Sequence, residues 1–164
     1  ETTYRLVFYC PTQEYYDDYG LNTAERKNAI SPIGILEYND RKIMLTGDSN
    51  KINEPLVVKR TGKIDCDVLK VGHHGSATST SNEFLDAYTF EYALISCNAA
   101  GNTFNHPRQD TLDRLKAHNI NVYRTDNNGN IVASVDKDGN IKITTQKEWN
   151  QEKNLIGLTG GSDE

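Results

Sequence analysis

The sequence predicts an α/β domain in which a mixed sheet is covered by helices. Three observations carry this. Short apolar runs of strand length alternate with helical segments, and each helical segment leads to a new strand. Glycine, proline and Asn/Asp clusters separate the runs, as turns in a compact domain require. The 164 residues are 36% apolar and 25% charged, with 9 tyrosines, which is enough to build one real core.

In chain order, residues 4–10 read as a strand stopped by Pro11, and the polar, tyrosine-rich stretch 13–27 as a long loop. Residues 32–38 and 41–45 form a hairpin about Asn39-Asp40. Residues 54–60 suit a short helix, with Pro55 in its first turn and Gly62 beyond its end. The strand at 67–71 runs straight into His73 and His74. A helix is expected next, behind a T-x-x-E capping box of Thr80 and Glu83, ahead of Phe84, Leu85 and Tyr88. A strand at 90–96 follows. The helix at 107–118 has Pro107 near its start, Leu112 and Leu115 on one face, and Asn119 as its end cap. Residues 120–124, 131–135 and 141–145 complete the strands, the last two joined by Asp136-Lys137-Asp138-Gly139. The domain therefore spans 1–145, and 146–164 is a polar tail or linker.

Composition narrows the functional classes. A formal net charge of -5 and a pI near 5.4 argue against a basic nucleic-acid footprint, so a phosphate-bearing substrate would be held by metal or by a local pocket. Cys10, Cys66 and Cys97 make neither a disulfide framework nor a zinc knuckle and read as small buried hydrophobes. No run approaches the ~20 apolar residues of a membrane span, and no signal peptide is present, so the chain itself reads as soluble. It starts abruptly inside what reads as a strand, so the absence of a signal says little about the parent protein.

Asp48, His73, His74 and His106 all read as lying at glycine or proline breaks after apolar runs, where a chain leaving a sheet presents side chains at its edge. A carboxylate and several imidazoles delivered to one edge read as a metal site. In extended backbone the adjacent His73 and His74 would point to opposite sides, so one is expected to ligate metal and the other to support it or touch substrate. His106 precedes Pro107 at an expected helix start and is open to three roles: ligand, general acid, or phosphate contact. Ser76 and Thr78 are placed either on a phosphate or at a helix cap. His118, in the last turn of a helix, carries no function. The runs beginning at Asp126 and Asp136 lack the glycine and glutamate positions of a calcium loop and read as turns. No G-x-S-x-G elbow surrounds Ser76, which argues against a serine nucleophile.

The ordered set Asn28-x-x-Ser31, Leu45-Thr46-Gly47-Asp48, Leu69-Lys70-Val71-Gly72-His73-His74-Gly75-Ser76, His106-Pro107 and Val122-Tyr123-Arg124-Thr125-Asp126-x-x-Gly129 resembles the metallo-β-lactamase superfamily. More closely it resembles the hydrolase domain of ComEC-type DNA-uptake channels and its secreted relatives. The resemblance implies half of an αββα sandwich, because the signature H-x-H-x-D-H loop of the first half is absent from this sequence. It also implies a metal-dependent hydrolase, a phosphodiesterase or nuclease using a metal-bound hydroxide, with two zinc or manganese ions in the complete domain. The alternatives are a secreted phosphoesterase, such as one acting on phosphorylcholine, and a degenerate, non-catalytic binding module. By resemblance, Asp48 bridges the metals and His74 is the favoured ligand, with His73 and His106 catalytic and Asn28, Ser31 and Ser76 at the substrate. The implied partners are a phosphate ester, with DNA as one candidate, and the missing N-terminal half. The parent protein is expected to be extracytoplasmic or secreted, with membrane attachment left open, and the isolated chain inactive.

Overall fold

A computed structural model of the chain describes residues 3–13, 23–98 and 103–158. Its described strands include a six-stranded mixed sheet in the order β1-β2-β3-β5-β7-β8. These are β1 (Tyr4–Cys10), β2 (Ile33–Tyr38), β3 (Arg41–Leu45), β5 (Val68–Lys70), β7 (Tyr92–Ile95) and β8 (Asn121–Arg124). β1, β2 and β3 are antiparallel neighbours, and β3, β5, β7 and β8 are parallel. The β2–β3 hairpin turns at Asn39 and Asp40, at φ 45° and 60°, as a two-residue turn with left-handed central residues requires.

The parallel half places its loops together. The sheet face carrying Ile35, Met44, Leu69, Ala93, Ile95 and Val122 is fully buried. Val57 of α2 (Glu54–Thr61), Phe84 and Leu85 of α3 (Asn82–Asp86), and Leu112 and Leu115 of α4 (Gln109–Ala117) join that core. Each such side chain contributes roughly 1.5–3 kcal/mol by leaving water. With helices fixed on this face, β3, β5 and β7 end at one edge of the sheet, and their following loops meet there. The short pair β4 (Ile64–Asp65) and β6 (Tyr88–Thr89) lies outside the main sheet. Among the described residues no helix is long and apolar enough to cross a membrane.

Three expectations need correction. Within the stretch expected as loop, Ala24–Asn28 forms a helix, α1, because the Thr23 hydroxyl accepts the Arg26 N–H and caps it; residues 14–22 lie outside the described residues. The cap of α3 is Ser81, which accepts the Phe84 N–H at 3.3 Å. Thr80 is drawn into a left-handed conformation, φ 55°, and gives its N–H to the buried Glu54 carboxylate instead.

The third concerns the polar tail. After the one-turn helix α5 (Thr125–Asn128) and the hairpin of β9 (Ile131–Val135) and β10 (Ile141–Thr145), the chain forms α6 (Gln151–Asn154). Trp149 donates to the Val122 carbonyl, while Gln151 accepts from the Val122 N–H and donates to the Ile120 carbonyl. Polar side chains thus satisfy the open edge of β8, which explains why a segment with little apolar content is ordered. Residues 159–164, the end of the expected tail, lie outside the described residues.

Candidate metal centre

The loops after β3 and β5 are locked to each other. The Thr46 hydroxyl donates to the Lys70 carbonyl, and the His73 N–H donates to the Gly47 carbonyl at 3.0 Å. Gly47 has φ 54°, and a Cβ there would come within 3.2 Å of Ser31 Cβ. A Cβ at Gly72 would meet Ser49 Oγ at 2.9 Å. Both glycines are therefore needed: one to turn Asp48 outward, one to let the histidine loop approach.

The histidine pair departs from the extended geometry expected of it. His73 (φ 44°, ψ 45°) and His74 (φ 54°, ψ 19°) are consecutive left-handed residues inside a tight turn, Gly72–Gly75. This conformation costs roughly 1–2 kcal/mol per non-glycine residue, and retained strain of this kind gathers at functional sites. It also brings both rings toward one region, with centroids 6.5 Å apart, rather than to opposite sides.

His74 is oriented by a residue that the sequence reading passed over. Its Nδ1–H donates to the Ser96 carbonyl at 2.6 Å, so Nε2 carries the lone pair of the neutral ring. That Nε2 lies 3.6 Å from Asp48 Oδ1, and the two side chains are 49% and 44% exposed. Two acceptors facing each other at this spacing match a pair of ligands on one ion, given ligand bonds of about 2.0–2.2 Å. A carbonyl holding the far nitrogen of a ligand histidine is the usual support for such an imidazole.

His106 closes the group. Its ring meets His73 edge-on, centroids 5.2 Å apart, and lies nearly parallel to Phe104 at 6.0 Å. Gly75 makes this placement possible: at φ 85° it sits so close to the next loop that a Cβ would be 2.6 Å from Pro107 Cβ. Partial burial, followed by the neighbouring His73, His74 and Arg108, pushes the His106 pKa down to about 4, against the pull of Asp48. A ring held neutral at pH 7 suits the ligand or phosphate-contact role better than that of a charged general acid. The helix start expected at this point falls later, since α4 begins at Gln109 behind Arg108.

Asn28 joins the group through its Nδ2, 3.4 Å from His73 Nε2. Ser31 packs against Gly47 and offers its carbonyl to Asn53. Ser76 is buried; its hydroxyl pairs with Thr78 Oγ1 at 3.1 Å and accepts the Thr78 N–H at 3.4 Å, so neither side chain caps α3, whose cap is Ser81. Arg114 underpins the loop by donating to the Ala77, Ser79 and Thr80 carbonyls. Lys70, missed in the sequence, donates to the Val71 carbonyl; burial lowers its pKa, with Asp48 and Cys97 opposing. Cys97 is half-buried and donates to Asp126 at 3.2 Å, and burial pushes its thiol up to about 11, so it behaves as a neutral packing group. His118 stands apart, bonded to the Arg114 carbonyl and to Asp86.

Asp48, His73, His74, His106 and Asn28 are thus together. Among the described residues, however, no three His, Cys, Asp or Glu side chains form a group that could hold an ion by themselves. The Asp48 and His74 pair matches, in donor type and spacing, what two ligands of one divalent metal require.

Comparison with known proteins gives the setting. The chain is 42% identical over 105 residues to ComE operon protein 3 of Bacillus subtilis, covering 64% of the chain and 13% of that protein. It is 43% identical over 88 residues to competence protein ComA of Neisseria gonorrhoeae, covering 53% and 13%. It is 34% identical over 104 residues to recombination protein 2 of Haemophilus influenzae, covering 63% and 13%. No protein-family model matches. One of these relatives is named as a competence protein and another as a ComE operon protein. This agrees with the ComEC-type resemblance and leaves the metallo-β-lactamase superfamily without support from these names. In each case it matches about an eighth of the relative's length.

Proposed function

We infer that this chain is part of a metal-dependent phosphodiesterase or nuclease within a DNA-uptake protein. The observation that carries the reading is the pair of acceptors, His74 Nε2 and Asp48 Oδ1, held 3.6 Å apart while Ser96 fixes the opposite ring nitrogen. A bound pair of zinc or manganese ions would polarise phosphoryl oxygens and lower the pKa of an attacking water. Asp48 supplies the negative charge that offsets the cations, and the Ser96 carbonyl keeps the His74 lone pair directed outward. The neutral His106 and the Asn28 amide beside His73 offer polar contacts to a phosphate oxygen without repelling a metal.

The rest of the domain has a place to pack. Tyr4, Leu6 and Phe8 project from the same face of β1 and are 76%, 44% and 59% exposed. Phe8 lies across Gly34, and Leu45 continues this apolar face on β3. An apolar stripe of this size on an edge strand suits coverage by another layer, and we assign that role to the N-terminal half carrying the remaining ligands.

The test uses the full-length protein that carries this chain, with manganese or zinc, on bis(p-nitrophenyl) phosphate and a DNA oligonucleotide. Asp48→Ala and His74→Ala, checked for folding by circular dichroism, should lose metal binding and turnover together. Wild-type turnover in a folded Asp48→Ala protein would remove the bridging role. Absence of any phosphate-ester hydrolysis by the wild type with either metal would favour a non-catalytic binding module.

A further inference from the structure

One aromatic side chain stands at the rim of this centre. Phe104 is 53% exposed, yet its ring is not loose: it lies at 25° to the His106 ring, which in turn meets His73. The phenyl group is therefore one ring removed from the histidines, backed by His106 and half open to solvent. Single exposed apolar residues are ordinary; one stacked in line with a polar centre is not accounted for by packing alone.

The next residue adds a second feature. Asn105 is buried and left-handed, φ 54°, and its Nδ2 has no hydrogen-bond partner among the described residues. A buried donor without an acceptor is destabilising unless something completes it. That amide is shut off from solvent, so the surface open at this rim is the Phe104 ring stacked on His106.

We propose that Phe104 forms a nucleobase subsite, with a base stacking on its ring while the attached phosphate lies at the histidine centre. This rests on the reading of that centre as a phosphate-ester site, and it narrows the substrate class to base-bearing nucleotides, single-stranded nucleic acid above all. Every base has a π face, so stacking favours a base over its absence without selecting sequence. It also gives an acidic chain a way to hold nucleic acid without a basic surface.

The experiment compares two probes on the full-length protein with manganese: a fluorescein-labelled thymidine tetranucleotide and an abasic tetranucleotide of the same backbone, with binding read by anisotropy. The wild type should bind the thymidine probe about tenfold more tightly, within the range of one aromatic stack. Phe104→Ala should abolish that difference while leaving the abasic affinity within about twofold, and Phe104→Trp should keep it. Equal binding of the two probes by the wild type would overturn the subsite and leave the phosphate-ester reading standing. Equal weakening of both by Phe104→Ala would mark Phe104 as a packing residue and overturn it too. Binding of neither probe by the wild type would remove both readings.

Discussion

Two histidine–aspartate pairs in this chain are assembled from the same parts and end in different states. His74 gives Nδ1–H to the Ser96 carbonyl and faces Asp48 with Nε2; His118 bonds the Arg114 carbonyl through Nδ1 and faces Asp86 with Nε2. The separation is 3.6 Å in the first pair and 2.9 Å in the second. At 2.9 Å the pair is closed by its own hydrogen bond, and nothing fits between. At 3.6 Å the coordination capacity of both groups remains open. A third carboxylate gives the saturated extreme: Asp126 takes two bonds from Arg124, at 2.6 and 3.0 Å, with side chains only 3% and 1% exposed. Unused hydrogen-bonding capacity, more than residue type, distinguishes the candidate site from the scaffold.

The largest effect should therefore come from Arg124. Burial alone would raise the Asp126 pKa, and the hydrogen bonds and charge of Arg124 overcome this and hold it below the usual carboxylate range. Arg124 also donates to the Asn154 and Ile156 carbonyls and so ties the C-terminal segment to the sheet. Arg124→Ala would strand a buried carboxylate and should destabilise the fold by about 3–5 kcal/mol, measured by urea unfolding. Asp48→Ala, at a half-exposed open pair, should stay within about 0.5 kcal/mol of wild type. Similar losses in the two variants would break the contrast.

Arg124 also shows what the sequence could and could not convey. The strands and the two longer helices were legible because apolar periodicity and turn residues both mark them, as at Asn39-Asp40 and at Pro55 with Gly62. The convergence of Asp48 with His73, His74 and His106 was legible because strand ends in a parallel sheet share an edge. The ordering of residues 146–158 was not, since it rests on polar side chains bonding a strand edge and on Arg124 reaching two carbonyls, neither of which leaves a local pattern. Nor was the support of His74 by Ser96, because a backbone carbonyl has no signature in residue type.

A pH series sharpens the comparison at intermediate size. The His106 pKa is depressed to about 4 in the fold from its ordinary 6.5. Between those values the unfolded chain binds a proton that the folded chain refuses, so stability is fully present above pH 6.5 and falls as pH drops toward 4. Loss at the Arg124 and Asp126 pair, by contrast, begins only near and below the ordinary carboxylate value of 3.8. Denaturant unfolding at pH 7, 5.5 and 4.5 should show the first loss, and His106→Gln should flatten that slope. An unchanged slope in the variant would place the proton uptake elsewhere.

The smallest effect belongs to His118, the closed counterpart of His74. It ends α4, where its bond to the Arg114 carbonyl and the helix-end field favour it, and Asp86 is its partner at 2.9 Å. Helix-end interactions of this kind are worth roughly 0.3–1 kcal/mol, and an exposed ion-pair partner adds little. His118→Ala should therefore lower stability by no more than about 1 kcal/mol and leave metal binding by the full-length protein unchanged, whereas His74→Ala should abolish it. Metal affinity falling equally in both variants, measured by titration calorimetry with manganese, would mean that the 0.7 Å difference between the pairs (3.6 minus 2.9 Å) does not separate an open site from a closed one.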